Sequence, residues 1–130
     1  MQVETYLFFA GRCDEAFEFY GRTLGAEVTV LLRYKDSPEP EMCPAGAENK
    51  VIHANVRIGK TILMVSDGRC EGQPSFQGFS LSLAVTDEAE APRLFAALSE
   101  GGEVRMPLGK TFWSPCFGMV AERNDELFPH

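Results

Sequence analysis

Two amphipathic helical stretches begin about 75 residues apart in this 130-residue chain, and the same order of elements surrounds each. Residues 4–9 (Glu-Thr-Tyr-Leu-Phe-Phe) read as a strand rich in aromatic side chains, and Ala10-Gly11-Arg12 breaks it. Residues 13–24 carry Ala16, Phe17, Tyr20 and Leu24 on one stripe. Asp14, Glu15 and Glu18 lie toward the N-terminal end, where acids suit the helix dipole, and Gly25 follows as the expected cap. Residues 26–35 alternate Val28, Val30, Leu32 and Tyr34 against Thr29, Leu31, Arg33 and Lys35. Residues 36–49, with three prolines and several acids, read as an exposed loop. The clearest alternation is in residues 50–58, where Ile52, Ala54, Val56 and Ile58 point one way and His53, Asn55 and Arg57 the other. Gly59-Lys60 turns the chain into a further strand, 61–66.

The order then begins again. Residues 67–78 read as a linker, and residues 79–85 alternate Leu81, Leu83 and Val85 against Ser80, Ser82 and Ala84. Residues 87–100 predict a second helix, with Ala91, Leu94, Phe95 and Leu98 on one stripe and Pro92 awkwardly near its start. Strand patterns follow at 103–106 and 116–121. The expected fold is α+β, one domain spanning 1–130, with a module at 1–68, a linker at 69–75 and a module at 76–130.

Charge narrows the function. Twelve Lys and Arg against 19 Asp and Glu give a net charge of −7, with no basic run to meet phosphates, so nucleic acid and anionic membrane surfaces are not the expected partners. No apolar run approaches the ~18 residues that cross a bilayer, and residues 1–20 lack the pattern of a signal peptide, so a cytoplasmic protein is expected. Cys13, Cys43, Cys70 and Cys116 are far apart and form no zinc-type spacing with His53 or His130, so they read as reduced, structural thiols. No phosphate-binding or methyltransferase glycine loop is present.

Three stretches together resemble the vicinal oxygen chelate superfamily, which includes glyoxalase I, bleomycin-resistance proteins and extradiol dioxygenases. Tyr6-Leu7-Phe8-Phe9 with Ala16-Phe17-Glu18-Phe19-Tyr20 and Leu24-Gly25 is similar to the opening of its PhnB-like branch. His53-Ala54, Arg57-Ile58-Gly59 and Leu63-Met64 resemble that branch's first-half hairpin. Met106-Pro107-Leu108-Gly109-Lys110-Thr111-Phe112-Trp113, then Phe117-Gly118-Met119-Val120, resembles its second-half signature. The resemblance implies paired βαβββ modules in a curled, half-open mixed sheet around a cavity, with helices on the outer face. It also implies a homodimer and, in the enzymatic branches, a divalent metal held by His, Gln or Glu from the first and last strand of each module. That metal chelates two substrate oxygens and stabilises the charge that develops on them.

Carried over by spacing, those ligand positions fall near Thr5, Leu63, Ser80 and Pro129, and none of these is a good ligand for a borderline metal. No cofactor is therefore expected. The polar sides of the alternating strands offer His53, Asn55, Arg57, Ser80 and Ser82, with Phe112 and Trp113 near the rim, as a pocket for a small polar molecule. His53 is open to three roles: a structural hydrogen bond, a ligand contact, or a metal ligand or general base. Three functions stay open: metal-free binding of a small molecule, a metal-dependent lyase, isomerase or dioxygenase, and a structural or partner-binding dimer.

Overall fold

Residues 1–38, 45–68, 81–85, 87, 89–114 and 116–121 are described by a computed structural model of the chain. It separates into two units, Met1–Pro74 and Ser75–His130. In the first, the elements run β1 (Tyr6–Phe8), α1 (Cys13–Leu24), β2 (Glu27–Arg33), a single 3-10 turn (Tyr34–Asp36), β3 (Val51–Ile58) and β4 (Thr61–Ser66). The sheet order is β1-β4-β3-β2, with β1 parallel to β4 and the other pairs antiparallel. This is a βαβββ module.

Helix α1 begins and ends where the sequence places it. Asp14 and Glu15 sit in the first turn, and Gly25 closes the helix at φ 68°, the left-handed conformation that glycine adopts at no steric cost. Its face is rotated from the expected stripe: Cys13, Ala16, Phe19 and Thr23 are buried, while Phe17, Tyr20 and Leu24 are half-buried. Thr23 tolerates burial because its hydroxyl donates to the Phe19 carbonyl at 2.7 Å.

No local side chain caps the start of α1. Asp67, 1% exposed, does so from the far end of β4. One carboxylate oxygen accepts the backbone N–H of Gly11 at 3.0 Å and of Cys13 at 2.9 Å; the other accepts the N–H of Val51 at 2.8 Å. Its own N–H donates to the Val51 carbonyl at 2.9 Å. The residue that opens the linker in the sequence reading is thus the clamp between the start of α1, the start of β3 and the end of β4. Its partners lie 16 to 56 positions away, beyond the reach of any local pattern.

Two register shifts reset the faces of the sheet. On β2, Val28 pairs with Val56 but Val30 with Asn55, so Thr29 is an extra residue. On β3, Leu32 pairs with His53 but Arg33 with Val51, so Ile52 is extra. The expected stripe of Val28, Val30, Leu32 and Tyr34 is therefore split. Val28 and Leu31 share a face with Val56 and Ala54, whereas Val30 and Leu32 share one with Asn55 and His53. For the same reason Val51, fully buried, takes the core place expected of half-buried Ile52. Leu7, Phe9, Leu63 and Val65 complete this core with α1.

The described elements of the second unit are α2 (Glu90–Ser99) and a hairpin of β5 (Glu103–Gly109) and β6 (Phe117–Ala121). The helix starts three residues later than expected, which leaves Pro92 in its first turn, where its missing N–H costs nothing. Residues 81–85 form no strand, because no ladder among the described residues pairs with them; Leu81, Leu83 and Val85 are exposed. Ser80 lies outside the described residues. Gly118 has no room for a side chain: a Cβ there meets Phe95 of α2 at 2.8 Å and Leu108 at 3.0 Å.

Replacing Asp67 by alanine takes the acceptor from two buried N–H donors, Cys13 and Val51, and from the part-buried Gly11 N–H, and urea unfolding is expected to show a loss of about 3–5 kcal/mol. Asp67→Asn, which keeps one carbonyl oxygen but turns an amide donor on a backbone donor, should lose about 1–2 kcal/mol. A loss under about 1 kcal/mol for the alanine variant contradicts the clamp.

Candidate functional site

The face of the first unit's sheet that does not carry the core holds one cross-strand row of Tyr6, Met64, Asn55 and Val30, read from β1 to β2. Phe8, Leu32, His53 and Ile62 flank it. Much of this face is apolar and exposed, Phe8, Val30, Leu32 and Ile62 included. At its centre runs a single polar chain. The Tyr6 hydroxyl lies 2.8 Å from His53 Nδ1, and His53 Nε2 lies 3.0 Å from Asn55 Oδ1.

The direction of these bonds follows from their chemistry. A carboxamide oxygen only accepts, so Nε2 carries the proton and donates to Asn55. In the neutral imidazole Nδ1 is then the acceptor, and Tyr6 O–H donates to it. Tyr6 also stacks on Phe8, with ring centroids 4.9 Å apart and planes 8° apart, and meets the His53 ring edge-on. Partial burial raises the Tyr6 phenol above its ordinary pKa, with a smaller push from charge on Cys13. Tyr6 is therefore a protonated donor through neutral pH.

The residues expected at the site divide as follows. His53 and Asn55 are joined. Arg57, expected to meet an anion, instead pairs with Glu27 across the β2–β3 ladder at 2.5 Å. Both groups are largely exposed, so the pair contributes at most about 1 kcal/mol. In the second unit Ser82 is exposed. Phe112, 98% exposed, and Trp113 meet edge-on at the hairpin tip, and Trp113 also meets Phe117. That tip is closed by Thr111 N–H on the Ser114 carbonyl at 2.8 Å and Ser114 N–H on the Thr111 hydroxyl at 3.1 Å.

Of the metal positions carried over by spacing, Leu63 and Thr5 are among the described residues. Leu63 points into the core, and Thr5 precedes β1, where its carbonyl accepts the Met64 N–H. The side chains on the open face at these places are Met64 and Tyr6. A thioether and a protonated phenol do not make a site for a borderline divalent ion, and both nitrogens of His53 are already engaged. Among the described residues no group of three or more His, Cys, Asp or Glu gathers. Ser80, Pro129 and His130 lie outside the described residues. At the two described positions, then, the side chains are not ligands for the borderline metal that the resemblance implies.

Tyr6 was legible as a strand residue but not as a site residue. Its role depends on β4 lying between β1 and β3, which no local alternation reveals.

Residues 2–128 match the Glyoxalase/Bleomycin resistance protein/Dioxygenase superfamily. The chain is 36% identical over 131 residues to Protein YjdN of Escherichia coli (strain K12), covering 95% of this chain and 89% of that protein. Among solved structures it is similar to protein PA1353 from Pseudomonas aeruginosa, with a TM-score of 0.80 and 44% identity over 95% of this chain and 90% of that one. It is also similar to the PhnB protein from Bacillus cereus, with a TM-score of 0.78 and 28% identity over 96% and 94% of the two chains.

A raised phenol pKa makes folding favour the neutral form of Tyr6. Its contribution to stability is full below the ordinary tyrosine range and is lost as pH rises through Tyr6's own pKa. Phenolate absorbance of the protein minus that of Tyr6→Phe should show Tyr6 ionising above the ordinary value of about 10. A midpoint at or below that value contradicts the site's geometry.

Proposed function

This chain belongs to the Glyoxalase/Bleomycin resistance protein/Dioxygenase superfamily, in its PhnB-like branch, and on that premise we propose that it binds a small polar molecule without a catalytic metal. The observation that carries the reading is the Tyr6–His53–Asn55 chain on an apolar, exposed sheet face. A few convergent polar groups among aromatic and aliphatic side chains are what a small-molecule site needs: the apolar area supplies affinity and the polar groups fix orientation. With the Tyr6 proton committed to His53, the Tyr6 oxygen is left to accept and the Asn55 amide to donate. The ligand this favours carries a donor and an acceptor side by side on an otherwise apolar body. Arg57 offers a further contact for an anionic group once it leaves Glu27.

The chain works in this reading as a cytoplasmic homodimer. The support for assembly is β2, an edge strand among the described residues that carries exposed apolar side chains on both faces, Val28, Val30, Leu31 and Leu32.

A thermal-shift screen against small oxyanions and aromatic amides or phenols is the test of binding. A hit should raise the melting temperature, and His53→Ala should abolish the shift; a screen without hits, or a shift unchanged in His53→Ala, contradicts the reading. Elemental analysis of untagged protein is expected to find no stoichiometric transition metal, and a metal lost in His53→Ala transfers the protein to the enzymatic members of the superfamily. Light scattering at micromolar concentration should give twice the mass of one chain.

A further inference from the structure

We propose that Tyr6 is a nucleophilic phenol with His53 as its general base, a metal-independent site that takes an acyl or sulfonyl group from an activated donor. Three features of nucleophilic catalysis are present together: a hydroxyl, a base within hydrogen-bond reach of it, and a third group that orients the base. Tyr6 Oη is 2.8 Å from His53 Nδ1, and Asn55 Oδ1 holds the opposite nitrogen at 3.0 Å. Asn55 fixes the tautomer in which Nδ1 bears a lone pair, so the base faces the phenol. The same bond, from Nε2–H to Asn55, stabilises the imidazolium once His53 has taken the proton.

Access separates Tyr6 from Tyr34. It is 39% exposed on an open sheet face, beside Phe8, Ile62 and Met64, which offer apolar surface to the body of a donor. Tyr34 is buried, and its hydroxyl donates to the Gly68 carbonyl, a group that takes no proton. Because the Tyr6 phenol is protonated at rest, its reactivity arises within the step rather than from a standing phenolate. With a sulfonyl fluoride the Tyr6 oxygen attacks sulfur as its proton passes to His53 Nδ1. The O–S bond forms, the S–F bond breaks, fluoride leaves with the bonding pair, and His53 returns its proton to solvent. An acyl donor follows the same course at its carbonyl carbon.

The full chain is treated with phenylmethanesulfonyl fluoride at neutral pH, and modified peptides are followed over time by mass spectrometry. Tyr6 should be labelled about 100-fold faster than N-acetyltyrosinamide, the lower range of general-base assistance. His53→Gln, with a melting temperature near that of the parent, should bring Tyr6 down to the rate of the free amide. A Tyr6 no faster than the amide in the unsubstituted protein overturns the proposal whether or not the variant folds, as does full speed in a folded His53→Gln. Labelling needs no physiological ligand, so a failure here leaves the thermal-shift test to decide the binding reading by itself.

Discussion

A single buried carboxylate ties the first unit together. Asp67 gathers three backbone N–H groups from the β1–α1 junction and the start of β3, and its own backbone closes β4 onto Val51. Unpaired, each of these donors would carry the desolvation cost of a buried amide. Paired on one acid, they fix where α1 begins and how β3 and β4 enter the sheet. The conformation this demands is visible at Ala10 and Gly11, both at positive φ, the first unusual for a residue with a side chain. Lys50 reinforces the same corner by donating to the Gly11 carbonyl at 2.8 Å.

From that corner the sheet acquires two unlike faces. One packs Leu7, Leu63, Val65, Ala54 and Val56 against α1. The other is left with exposed apolar side chains and one line of hydrogen bonds through Tyr6, His53 and Asn55. The line exists because β4 lies between β1 and β3, which puts Tyr6 within reach of His53 across Met64. Along that line the donors and acceptors run in a fixed order, and the Tyr6 proton points at the His53 base.

Much of the fold was legible because its signals are local. Helix α1 has its acids and its glycine cap, and the turn at Gly59-Lys60 joins strands whose bounds match the alternation closely. What was hidden is non-local. The bulges at Thr29 and Ile52 reverse which residues face the core, and they follow from pairing between strands, not from either strand's composition. Asp67 read as a loop acid for the same reason. On the face away from the core, alternation on β3 put His53 and Asn55 together, while the place of Tyr6 and Met64 beside them required the pairing of β1 with β4. Arg57 was legible as exposed, while its pairing with Glu27 required the register of β2.

The chemistry of this face turns on the direction of the polar chain, and the imidazole nitrogens of His53 report it. Long-range proton–nitrogen NMR of the protein at neutral pH, with His53→Ala used to assign its signals apart from those of His130, distinguishes the two ring nitrogens. The expected spectrum has Nε2 protonated and Nδ1 as an unprotonated hydrogen-bond acceptor, and Tyr6→Phe moves the Nδ1 resonance toward that of a free acceptor. A protonated Nδ1, or a His53 spectrum indifferent to Tyr6→Phe, contradicts both the geometry of the site and the chemistry drawn from it.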